Sequence, residues 1–119
     1  IISYKGIPKP GQATRSVVET LDLFPTVCDL AGLDKPDFLQ GQSLVPILKN
    51  PQAKGHSAIA YRGGAQTIRT VTHRLIAHKG GELEFYDHET PEGETKNLAT
   101  AQPKKATALL KQLQVRLAK

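Results

Sequence analysis

Two periodicities divide this chain. From Asp22 to Ala31, apolar residues recur at helical spacing, and Phe24, Val27, Cys28 and Leu30-Ala31 form one wide apolar face. Asp22 is a credible N-cap and Gly32 a stop, so the pattern predicts a short buried helix between them. Pro25 is tolerated because first-turn N–H groups have no intrahelical partner to lose. Ser43 is placed to cap a second short helix over Leu44 to Leu48, which ends before Asn50-Pro51. The second half changes period. Ser57 to Tyr61, Ala65 to Thr70, Arg74 to His78 and Leu83 to Tyr86 read as short strands, punctuated by Gly63-Gly64, the Thr72-His73 corner and Gly80-Gly81. A last helix from Pro103 to Leu117 carries Ala106, Leu109, Leu110, Leu113 and Leu117 as one apolar stripe.

These elements predict an α/β (α+β) chain, with about four antiparallel strands in sequential hairpins and one sheet face covered by the final helix. Residues 1–55 read as linker and helical segment, and 56–119 as sheet plus helix. The first 13 residues hold Gly6, Pro8, Pro10 and Gly11 and form an irregular approach, while Arg15 to Leu21 fits strand or helix. Pro36 to Gln42, Pro51 to Gly55 and Asp87 to Asn97 are connectors.

At 119 residues, 39% of them hydrophobic and with no Trp, the chain suits one domain with a small core. Its net charge of +5 invites a nucleic-acid reading. The cations are scattered, however: Lys104, Lys105, Lys111, Arg116 and Lys119 punctuate a helix, with no continuous basic run and no aromatic platform. No nucleic-acid partner is expected. No segment reaches transmembrane length and no signal-peptide pattern stands at the start, so no membrane partner is expected either. A start at Ile1-Ile2 without Met suggests a processed product or a fragment. The single Cys28 excludes an internal disulfide and a cysteine zinc cluster, and on the apolar side of a helix it reads as a structural thiol.

Candidate chemistry is sparse. There is no G-x-S-x-G elbow, and His56-Ser57 is an adjacent pair rather than a triad. Asp87-His88-Glu89 contains metal-ligating types, but contiguous strand residues point to opposite faces, and a turn closed by Asp87 accounts for them better. Gly63-Gly64 lacks a following Lys-Ser or Lys-Thr and is a tight turn. No catalytic residue and no metal ligand is assigned. The best local site is Arg62, Arg69 and His73. The two arginines bracket the second strand and are expected to project from one end of the sheet, where guanidinium captures oxyanions and imidazole donates a hydrogen bond.

The residues from Asp22 onward then supply a specific likeness. Asp22-Leu-Phe-Pro-Thr-Val-Cys-Asp-Leu-Ala-Gly-Leu33 resembles the D-L-x-P-T-x-x-x-L-A-G segment of the sulfatase family. Leu39-Gln-Gly-Gln-Ser-Leu-Val-Pro-Ile-Leu48 resembles its L-x-G-x-S-L-x-P-L-L segment. Thr67-Ile-Arg-Thr-Val-Thr-His-Arg-Leu-Ile76 is similar to its R-T-x-x-x-R strand pair, and Leu83-Glu-Phe-Tyr-Asp87 with Asn97-Leu-Ala99 to its closing motif. The likeness is nearest to the iduronate-2-sulfatase branch. Leu75 replaces the usual aromatic after Arg74, and Thr90-Pro91 stands where Asp-Pro is common.

The resemblance implies the C-terminal subdomain of an alkaline-phosphatase-like fold. In the parent, catalysis would use a formylglycine in a C-x-P-x-R setting and a calcium or magnesium ion, all upstream of this segment. Cys28 cannot be that residue, because Asp29-Leu30-Ala31-Gly32 follows it. The chain alone is therefore expected to hold no cofactor and to be inactive, with the missing N-terminal catalytic domain as its main partner. Arg62, Arg69 and His73 would touch a sulfated sugar, and an exposed first-helix face would promote self-association of the fragment. The family also implies a periplasmic, secreted or lysosomal setting. Two alternatives remain: an independent module binding anionic glycans through convergent Arg62, Arg69 and His73, and a purely structural subunit in which the three are dispersed.

Overall fold

The computed structural model describes residues 1–118, which divide into two compact units, Ile1–His56 and residues 57–118. In the first unit, a 3-10 turn at Thr20–Asp22 leads directly into α1 (Leu23–Ala31), and α2 (Val45–Lys49) follows a loop. Gly32 closes α1 in the left-handed conformation at φ 67°, with the Leu33 N–H reaching back to the Cys28 carbonyl at 2.9 Å. Glycine suits this position because it has no Cβ to clash.

The helix exposes most of its apolar face, as expected of the fragment. Leu23, Phe24, Val27 and Leu30 remain 49%, 51%, 59% and 37% exposed, while Pro25, Thr26 and Cys28 turn into the unit itself. The reason is that Thr26 has polar work inside. Its hydroxyl donates to the Asp22 carbonyl at 2.5 Å and accepts the Leu44 N–H at 2.8 Å, which pins the start of α2 to α1. The apolar side is left facing outward.

A second tight contact fixes the intervening loop. A Cβ on Gly41 would stand 2.0 Å from the Leu21 carbonyl oxygen, so only glycine allows this approach. Leu44, not Ser43, is the N-cap of α2; Ser43 stands one residue further out, where its Oγ accepts the Val45 N–H at 3.3 Å.

The second unit is a four-stranded antiparallel meander, β1 (Ala58–Arg62), β2 (Ala65–Arg69), β3 (His73–Ala77) and β4 (Leu83–Asp87), in sequential order. β3 begins one residue earlier than the sequence suggests. The Thr70 N–H bonds to the His73 carbonyl at 2.8 Å and the His73 N–H to Thr70 Oγ1 at 3.0 Å, which draws His73 into the ladder. Alternation places Ile68, Leu75 and Phe85 on one face, where they meet Ala106, Leu109 and Leu113 of α3 (Pro103–Leu117). Leu110 and Leu117 flank this core, as the stripe predicts. Each large side chain fully buried here contributes roughly 1.5–3 kcal/mol.

The outer edge of β4 is covered by the chain's own Asn97-Leu98 segment. Asn97 Oδ1 accepts the Phe85 N–H at 3.0 Å, and the Phe85 carbonyl accepts the Leu98 N–H at 2.8 Å. An unpaired strand edge is thereby closed. At the other end of α3, Arg116 donates to the Ser57 carbonyl.

Candidate functional site

The sheet face turned away from α3 carries Arg69, Arg74, Glu84 and Tyr86. Register puts Arg69 opposite Arg74, and Arg74 opposite Tyr86, in one row across β2, β3 and β4. Arg74 holds both carboxylate oxygens of Glu94 at 3.0 Å, and His88 Nε2 lies 2.9 Å from the same carboxylate. This ion pair, made through Nη1 of Arg74 alone, fastens the 3-10 turn at Gly93–Thr95 to the sheet. Beside it, Glu84 accepts the Tyr86 hydroxyl and contacts His78 Nε2 at 2.5 Å. The carboxyl of Glu84 is held below its ordinary range, first by Tyr86 and then by His78. Tyr86 is pushed up to about 12, chiefly because its hydroxyl donates a hydrogen bond to Glu84, which favours the protonated phenol.

Arg62, Arg69 and His73 do not gather at one point. Arg62 ends β1 at the Gly63-Gly64 hairpin and is exposed, whereas Arg69 ends β2. Bracketing β2 therefore puts the two arginines at its opposite ends, not at one end of the sheet. Arg62 pairs with Ala65, and from Ala65 to Arg69 the strand rises about 13 Å. Arg69 is turned inward on its own hairpin, donating to the carbonyls of Thr70 at 2.7 Å and His73 at 3.2 Å. Burial pushes its guanidinium downward, with Glu94 opposing. His73 lies on the other face, stacked on Phe85 with centroids 5.2 Å apart and planes 13° from parallel. Its Nδ1 is 2.6 Å from Thr72 Oγ1.

Asp87 closes a turn, accepting the Glu89 N–H at 2.9 Å and, through its carbonyl, the Thr90 hydroxyl. The polar cluster that the sequence does not reveal lies in the first unit. Asp22 occupies the N-cap position of α1 but makes no side-chain cap bond there. Its buried carboxylate instead accepts the Glu19 N–H at 2.9 Å, the Gln42 N–H at 2.8 Å and His56 Nε2 at 2.8 Å. Glu19 lies 3.6 Å from the other ring nitrogen of His56. Positions 19, 22 and 56 offer ligand atoms within 4.8 Å of one another, and among the described residues they are the group with metal-ligand types at that spacing. The 2.8 Å contact is a hydrogen-bond distance. With two backbone donors also satisfied, the cluster is a clamp that joins three segments. A His 34 residues from its Asp has no spacing rule that would have found it.

The architecture is that of the C-terminal part of an alkaline-phosphatase-like hydrolase. The sequence profile described as "N-sulphoglucosamine sulphohydrolase, C-terminal" matches residues 1–119, and the chain belongs to this sulfatase family. A delta 4,5-hexuronate-2-O-sulfatase of Bacteroides thetaiotaomicron is 36% identical over 91 residues, 67% of this chain and 19% of that protein. A protein solved in complex with its substrate D-glucosamine-2-N,6-O-disulfate is 29% identical with a TM-score of 0.65, covering 78% of this chain and 22% of its own. The phosphonate monoester hydrolase of Agrobacterium radiobacter shares the fold at 22% identity and a TM-score of 0.65, over 82% of this chain and 24% of its own. The chain thus spans about a fifth of the length of these relatives.

Proposed function

We propose that this chain is the C-terminal part of a sulfuric ester hydrolase acting on sulfated sugars, inactive alone, whose first unit docks on the preceding catalytic domain. The observation that carries this reading is the outward row on α1. Leu23, Val27 and Leu30, with Phe24 beside them, stand at i, i+4 and i+7 on one face and remain about half exposed. Leu23 also lines an adjoining groove of about 870 Å³ whose apolar wall includes Val18, Leu44, Ile47 and Leu48. A contiguous apolar surface of this kind marks an interface. Relatives roughly five times as long supply the partner: the remainder of the same polypeptide.

The sulfated sugar comes from the hexuronate-2-O-sulfatase and from the protein solved with a glucosamine disulfate. The formylglycine and the divalent cation of the parent belong to its upstream part. Cys28 is 4% exposed within the first unit, and its sequence context lacks the Pro and Arg of the modified motif. Arg62, exposed at the β1–β2 hairpin, is the residue of the original three most available to a sulfate or carboxylate, whereas Arg69 is committed to its turn.

Val27→Asp separates these ideas. In the full-length protein it is expected to lower the melting temperature by several degrees and reduce soluble yield. In the 119-residue chain alone, at concentrations where it is monomeric, it is expected to be neutral within about 0.5 kcal/mol, as for a surface site. Equal effects in both would remove the docking role. Hydrolysis of sulfate esters by the full-length protein, with none by the chain alone, is the expected activity pattern; phosphonate ester hydrolysis in its place would overturn the substrate assignment.

A further inference from the structure

We draw no further inference here: the strongest candidate, the buried Glu19–Asp22–His56 cluster of the first unit, belongs to the clamp already described, its Asp22 carboxylate being taken up by the Glu19 and Gln42 N–H groups and by His56.

Discussion

Asp22 shows how one side chain can hold several segments. Its carboxylate satisfies two backbone N–H groups and faces His56, so Asp22→Ala strands donors in a closed environment. At about 1–3 kcal/mol for each unsatisfied group, a loss of about 3 kcal/mol or more in urea unfolding is expected. His56→Gln, which keeps one donor, should cost less than His56→Ala. Gly41→Ala acts by a different route, since the added carbon meets the Leu21 backbone and the loop must shift, at about 1–3 kcal/mol. The Tyr86–Glu84 bond should give a pH signature in the stability difference between wild type and Tyr86→Phe. The folded pKa of Glu84 is lowered, so its contribution is present above 4.5 and fades as pH falls through the folded value. The folded pKa of Tyr86 is raised, so its contribution is present below 10.0 and fades as pH rises through about 12. A plateau between those limits that declines on both sides is expected; a difference flat from pH 3 to 12 would count against the bond.

At the scale of elements, what could be read in the sequence was what periodicity controls. The stripe of α3, the four strands and their sequential pairing follow from spacings of 3.6 and 2, because each such element meets one neighbouring layer. The apolar row of α1 faces outward, as the family resemblance implied for the fragment, and Pro25, Thr26 and Cys28 fill the interior of the unit. Periodicity marks which face is apolar without saying which protein covers it. The R-T-x-x-x-R segment serves as joinery. Arg69 and Thr70 close a hairpin, and Arg74 clamps Glu94. Two arginines bracketing a strand of five residues could not share one of its ends, a consequence of strand rise available from the sequence. The Asp22–His56 pair, by contrast, depends on a tertiary contact with no local signature. α3 also allows a stabilising change: Lys104→Glu removes a cation from the positive end of the dipole and should raise stability by a few tenths to about 1 kcal/mol, less in high salt.

For the whole molecule, exposed apolar surface sets solution behaviour. Leu33 and Phe38 add to the α1 row at 63% and 75% exposure, so the 119-residue chain by itself is expected to self-associate. Sedimentation should show species larger than a monomer that revert with Phe24→Asp and Val27→Asp combined. Among the described residues no helix is long and apolar enough to cross a membrane, so that surface is not a spanning segment.

The clamp around Asp22 also has a consequence in time. Its partners lie 20 and 34 residues further along, so during synthesis the carboxylate waits for them to leave the ribosome. At about 5–20 residues per second, His56 arrives about 2–7 s after Asp22. Throughout that interval the apolar row of α1 is already outside while the loop that anchors the helix is unfinished. A nascent chain carrying this segment therefore presents a sticky, unanchored helix, and that interval is when a holding chaperone would be most useful to it.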